Sequence, residues 1–236
     1  MCLLARLNGE TVPAGDCNCN FCQDSCTYSR AARMQPSDYG FDMIPHASVS
    51  YAQIERDLSP EDLDKFLSMK VKTGVMLRDP MEGVLANIVA HKIALSDLES
   101  ALMAGDFRRA YAHEPGCLRK ARDPPSAIGH LIQSFATRSL SGFFDVSSTS
   151  DEHLETAKRN LDKFDVVELL EDLNMPRFEE RFGWNADISL AKKNSVGAYA
   201  KNGLKDKLVA YGLWDRLSEV NAHDTALYEY ARDKYR

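Results

Sequence analysis

Two groups of residues have types and spacings suited to chemistry. The first is Arg78-Asp79-Pro80, which follows the short, apolar, partly β-branched run Gly74-Val75-Met76-Leu77. Such a run suits a strand covered on both faces. Asp79 is a good helix N-cap, and Pro80 fits the first helical position, where its missing N–H would have had no partner. Arg78 then stands at the carboxyl end of a buried strand, beside a helix start, where ligands of open α/β sheets collect. A fixed guanidinium next to free backbone N–H groups favours a phosphate; an arginine that merely caps or salt-bridges the strand end is the other reading. The second group is Cys17, Cys19, Cys22 and Cys26. Four thiolates can close a tetrahedron around zinc, but this spacing matches none of the usual paired-knuckle patterns. Disulfide, metal and free-thiol readings all stay open, and no metal site is assigned.

The elements that must position these residues read as helix–strand alternation. The chain has 236 residues, 44% hydrophobic and 27% charged, with a net charge of −6. That length holds one ordinary α/β domain with irregular extensions. The acidic balance argues against sequence-independent nucleic-acid binding, so an anionic ligand would need local basic residues. No segment approaches a membrane span, and the apolar start Cys2-Leu3-Leu4-Ala5 is too short for a signal-peptide core. Residues 1–40 read as an irregular, Cys-rich segment and 41–236 as the α/β domain. Within the latter, strands are expected at 71–77 and 164–169, with a weaker candidate at Phe41–Ile44. Helices are expected over 48–58, from Ser59, over 80–92, from Ser96 with a capping box, and over 126–138. Further helices should run from a Thr149-x-x-Glu152 capping box to about Leu161, over 175–182, 204–217 and 223–236. Met81, Val84, Leu85, Ile88 and Val89 recur at helical spacing and should face the sheet. Residues 105–125 carry Arg108, Arg109, Arg119, Lys120 and Arg122, and read as a solvated loop or as a mobile basic loop over an anionic acceptor.

Four stretches together resemble the carbohydrate sulfotransferases that use 3′-phosphoadenosine 5′-phosphosulfate (PAPS), in particular the heparan 2-O type. They are Val75 to Ala86, with its strand, Arg-Asp-Pro and helix; Gln133 to Gly142, with Thr137-Arg138, Leu140 and Gly142; Ala157 to Leu161 followed by Phe164 to Val167; and Phe182-Gly183-Trp184 with Asn194 and Asn221-x-x-Asp224-x-x-Leu227-Tyr228. The resemblance covers residues 71–236 and rests on order and spacing.

That resemblance implies a P-loop-NTPase-like three-layer α/β fold with a parallel sheet and a helix-rich carboxyl half. It implies transfer of a sulfuryl group from PAPS to a hydroxyl of a glycan, with Arg78 on the 3′-phosphate of the cofactor and Arg138 toward the substrate. His46, in Ile44-Pro45-His46-Ala47-Ser48, falls where the 2-O-type relatives carry a histidine segment and is the candidate base for the acceptor hydroxyl; a loop-capping histidine is the alternative. His91 and His130 receive no role. The family serine that shares the 3′-phosphate is matched by Ala86; the adjacent Asn87 is the candidate substitute, although a helical neighbour points about 100° away. The family's first strand and Pro-Lys-x-Gly-Thr loop find no counterpart, and Lys72-Thr73-Gly74 echoes that loop only in letters. A truncated or catalytically degenerate relative acting as a binding module is therefore the alternative. The resemblance implies the Golgi lumen; no signal or anchor is visible in the chain, which leaves a soluble cytoplasmic protein as the other reading. The acceptor and the oligomeric state are left open.

Overall fold

The computed structural model describes Ala5 and residues 7–12, 63–64, 67–68, 72–105, 132–143, 148–173, 175–185 and 198–236. The cysteine cluster, Cys2, Cys117, the Phe41–Ile44 run, His46, the 48–58 helix, His130 and nearly all of the basic 105–125 stretch lie outside the described residues.

The described fold is mixed α/β and helix-rich, with a two-stranded parallel sheet. Strand β1, Gly74–Leu77, leads through Arg78 and Asp79 into helix α1, Pro80–Ala90. Helix α2, Leu95–Ala104, follows, and then α3, Phe135–Ser141, and α4, Asp151–Leu161. Strand β2, Val166–Leu169, runs into a 3₁₀ turn at Leu170–Asp172 and helix α5, Met175–Phe182. The chain continues through α6, Ala198–Ala210, α7, Trp214–Val220, and α8, Ala222–Tyr235. No helix among the described residues is long and apolar enough to cross a membrane.

β1 and β2 pair in parallel with Gly74 opposite Val166 and Leu77 opposite Leu169. Side chains alternate between faces along a strand, so the register assigns each pair to one face. Leu77, Val167 and Leu169, with the half-buried Val75, pack against Leu140 of α3, Leu154, Ala157 and Leu161 of α4, and Leu227 and Ala231 of α8. The other face turns toward α5: a Cβ on Gly74 would lie 3.6 Å from Phe182 Cζ, and Glu168 meets Arg177. Helices thus cover both faces of β2, all four residues of which are buried, whereas β1 is less covered than its apolar run suggests: Leu77 is buried, Val75 and Met76 are half-buried and Gly74 is exposed. Upstream of β1, the Thr73 amide and hydroxyl bond the Asp165 carboxylate at 2.7 and 3.1 Å, and Lys72 Nζ donates to the Arg181 carbonyl.

Several boundaries differ from the expected ones, each for a visible reason. The apolar side of α1 faces other helices instead of the sheet: Val84, Leu85 and Ile88 pack with Leu98, Ala101 and Leu102 of α2, Leu208 of α6 and Leu217 of α7. Helix α2 starts at Leu95 after Ala94, without a side-chain cap, so the capping box at Ser96 does not form. Ile93 and Leu95 pack onto the same apolar cluster and set the start instead. The box opening α4 is Ser150 with His153, one residue beyond the expected pair. The single helix expected over 204–217 is two. Gly212, at φ +69°, closes α6 with Gly212 N–H to Val209 O at 3.0 Å and Leu213 N–H to Leu208 O at 2.9 Å. This is a Schellman ending, and Leu213 packs in one cluster with Leu208 as that motif favours.

At the amino terminus, Asn8-Gly9 forms a turn. Ala5 is fully buried with Phe178 and Trp184, while Trp184 Nε1–H donates to Glu10 at 2.8 Å. Of the helix expected from Ser59, Leu63 is described as helical and buried.

The end of α4 is clasped to α8 by one carboxylate. Asp162 accepts from Tyr230 at 2.8 Å and pairs with Lys234 at 2.7 Å, and the Tyr235 hydroxyl also reaches it. Partial burial opposes ionisation, but the hydrogen bonds from Lys234, Tyr235 and Tyr230 outweigh it and hold the carboxyl below the usual range. A depressed acid stabilises the fold above its unfolded pKa and loses that contribution as pH falls through the folded value. Because the site is part-exposed, we expect Asp162→Asn to cost about 1 kcal/mol or less near neutrality. Paired urea titrations should show the gap between the two proteins closing as pH falls below about 4.

Candidate functional site at the carboxyl edge of the sheet

The strand-to-helix junction has the geometry its residue types dictate. Asp79 caps α1, accepting the Glu82 amide at Oδ1 over 2.9 Å, with Pro80 first in the helix. Arg78 is exposed just beyond the buried Leu77. Its stem lies over the first turn of α1, since a Cβ on Gly83 would sit 3.7 Å from Arg78 Cδ. The glycine leaves room for the arginine to lie back against the helix start. Among the described residues no hydrogen bond or ion pair engages the Arg78 side chain.

The amides around it are less available than expected. The Glu82 amide is taken by the Asp79 carboxylate, the Gly83 amide by the Asp79 carbonyl at 2.9 Å, and the Asp79 amide by Glu171 Oε1 at 3.2 Å. The guanidinium, more than the helix start, is therefore what attracts an anion here.

Glu171, from the turn after β2, connects the ends of both strands with α8. One of its oxygens holds the Asp79 amide and the other accepts from the Tyr228 hydroxyl at 3.1 Å. Burial first, then the Glu171 carboxylate and Asp79, push the Tyr228 phenol up to about 12, while Arg232 opposes them. Tyr228 therefore remains a hydrogen-bond donor at any physiological pH. Two carboxylates, Asp79 and Glu171, thus act on Tyr228 where the parallel strands end, with the charge of Arg232 opposing them.

The other expected site residues are distributed as follows. Asn87 is half-buried on α1, next to the buried Ala86. Arg138 is 1% exposed, inside the molecule on α3, close enough to lower the pKa of the Asp224 carboxyl by its charge. Arg78 and Arg138 belong to different elements and different environments, the first exposed and the second buried. His46 lies outside the described residues. Among the described residues no group of three or more His, Cys, Asp or Glu side chains could hold a metal ion.

Two features escaped the sequence reading. Glu171 and Tyr228 became partners only through the packing of α8 on β2. Glu168 is 2% exposed in mid-strand, paired with Arg177 at 3.4 Å. The signal for it was present: a single carboxylate inside an apolar strand run is either at an edge or needs a partner. Compared with protein-family models, curated proteins and solved structures, the chain matches none.

Proposed function

We propose that this protein binds a 3′-phosphorylated adenine nucleotide at Arg78, on a P-loop-like α/β domain, and transfers a sulfuryl group from PAPS to a glycan hydroxyl. The supporting observation is the exposed guanidinium at the carboxyl end of a parallel strand, lying over a proline-started helix and without a hydrogen bond or ion pair among the described residues. An arginine so placed can form two parallel hydrogen bonds to a phosphate without first breaking an ion pair. In this reading Asn87 lies along the helix that Arg78 overlies, and His46 removes the acceptor proton. The resemblance of residues 71–236 supplies the reaction class, and the Golgi lumen is the corresponding compartment.

Calorimetric titration with adenosine 3′,5′-bisphosphate tests the site. Arg78→Ala should weaken binding by about thirtyfold, the loss of roughly 2 kcal/mol of charge-assisted hydrogen bonding, with the unfolding midpoint unchanged. Equal heats from wild type and variant would remove Arg78 from the site. Labelled-sulfate transfer from PAPS to a glycan panel then tests the reaction.

One observation favours a second reading, a nucleotide-binding module without transfer. Lys72 and Thr73, the residues that echo a phosphate-wrapping loop, are spent on Arg181 and Asp165 and serve the fold. Nucleotide binding without sulfate transfer is the result expected of such a module.

A further inference from the structure

Three side chains join the start of α4 to the start of α8. Thr149 Oγ1 lies 2.7 Å from His223 Nδ1, and the other ring nitrogen, Nε2, lies 3.2 Å from Asp151 Oδ1. A carboxylate only accepts, so Nε2 carries the proton and donates to Asp151. In the neutral ring Nδ1 is then an acceptor, and the Thr149 hydroxyl donates to it. Hydroxyl, imidazole and carboxylate stand in the order of a nucleophile, its base and the group that orients the base.

The fold holds this arrangement from behind. Ser150, not Thr149, caps α4, with His153 completing the box, so the Thr149 hydroxyl is left to the imidazole. The residue after His223 is the buried Asp224, which accepts the Thr137 amide of α3 at 2.7 Å. Asn160 of α4 donates to Leu140 O of the same α3 at 2.9 Å, and Leu154 of α4 packs in one cluster with Leu227 of α8. The hydroxyl and its base are thus carried by elements locked to each other. Thr149 is half-buried and the His223 side chain is 26% exposed, open enough to meet a solute. Ser150 accepts the His153 and Leu154 amides. The Asp151 and Glu152 amides, the first two of α4, have no acceptor within the helix and can serve a developing oxyanion. The exposed Phe143 ring lies against the His153 ring at 5.1 Å, an apolar surface beside Ser150.

We propose that Thr149 is the nucleophile of an esterase-type acyl transfer, accepting a short acyl group from an activated ester. Thr149 Oγ1 bonds to the acyl carbon as its proton passes to His223 Nδ1. The ester C–O bond then breaks, and the leaving alcohol takes that proton. Water, deprotonated by the same nitrogen, attacks the acyl-threonine, releasing the acid and restoring the hydroxyl. Asp151 is 99% exposed, so water screens its charge and its part is to orient the ring. The proposal does not rest on the nucleotide reading and uses none of its residues.

The test is p-nitrophenyl acetate with the full chain. Nitrophenolate should appear in a burst, and peptide mapping after an acid quench should find an acetyl group on Thr149. Thr149→Val, which keeps the shape and removes the hydroxyl, should lose both; Thr149→Ser should keep both. His223→Gln should slow acylation by about a hundredfold, the loss of a general base. Asp151→Ala should lower kcat by about threefold with KM unchanged, the modest effect of a screened charge. No acetyl group on Thr149 of the wild type, or an undiminished burst in Thr149→Val or in His223→Gln, would overturn the proposal.

Discussion

Asp224→Ala is expected to lower the stability of the fold by about 3 kcal/mol, the cost of leaving the helix-start amides that this buried carboxyl caps without an acceptor. Asp224 lies on α8 but caps another helix. Its two oxygens accept the Ala136 amide at 2.9 Å and the Thr137 amide at 2.7 Å, the second and third positions of α3. Ser134, the residue before α3, sits at φ +38° and makes no side-chain cap. A seven-residue helix cannot hold itself, so the distant carboxylate substitutes for the missing local cap. Removing it leaves one buried and one part-buried donor without acceptors. Burial pushes the Asp224 carboxyl above the ordinary aspartate range, against the lowering by Thr137, Ala136 and Arg138. The sign of the pH dependence follows. A raised acid binds its proton more tightly in the folded state, so its contribution is fully present below its unfolded pKa and diminishes as pH rises through the folded one. Urea unfolding followed by circular dichroism should therefore show the gap between wild type and Asp224→Ala narrowing from about pH 4 upward, opposite to the trend at Asp162. Asp224→Asn, which turns an NH₂ toward one of the two amides, should lose roughly half as much. A loss below about 1 kcal/mol for the alanine variant would mean that α3 does not depend on α8.

The elements legible in the sequence were those whose ends are written in local chemistry. Asp79-Pro80 announces α1 and its cap, and the β-branched runs announce β1 and β2. The amphipathic patterns of α4 and α5 announce those helices to within a residue or two. Long-range causes were not legible. The break before α3 depends on side chains nearly ninety positions away, at Asn221 and Asp224. The face that α1 buries was misassigned because a 3.6-residue period says which side is apolar but not what covers it. Gly212 is the counterexample: the glycine that splits the 204–217 helix, at φ +69°, is a local signal. At the candidate site the same division holds. Arg78 follows from the strand-end rule, but the loss of its neighbouring amides to Asp79 and Glu171 required the packing of the turn after β2 against α1.

Asn221→Ala is expected to cost about 3 kcal/mol, for reasons that separate it from Asp224 although the two are one helical turn apart. The Asn221 side chain makes three buried hydrogen bonds: Oδ1 accepts the Ser134 amide at 2.9 Å, while Nδ2 donates to Ile132 O at 2.7 Å and Leu217 O at 2.8 Å. The last satisfies a carbonyl that α7 leaves open at its carboxyl end. The first two fix the chain on the amino side of Ser134, from the Ile132 carbonyl to the Ser134 amide. A serine at φ +38°, ψ +46° is held in a conformation that L-residues avoid, at a cost of about 1–3 kcal/mol that the surroundings must supply. Asn221 supplies it, helped by the Ser134 hydroxyl on Val220 O at 2.9 Å. The consequence distinguishes local strain from simple loss of bonds. In the Asn221→Ala background, Ser134→Gly should restore about 1 kcal/mol, because glycine adopts the left-handed conformation freely. In wild type the same change should be nearly neutral, the relief of strain offsetting the lost hydroxyl bond. The double variant Asn221→Ala/Asp224→Ala should lose less than the sum of the two single losses, since both residues secure the start of α3. Strict additivity in a urea double-mutant cycle would show instead that the turn and the helix start are held independently.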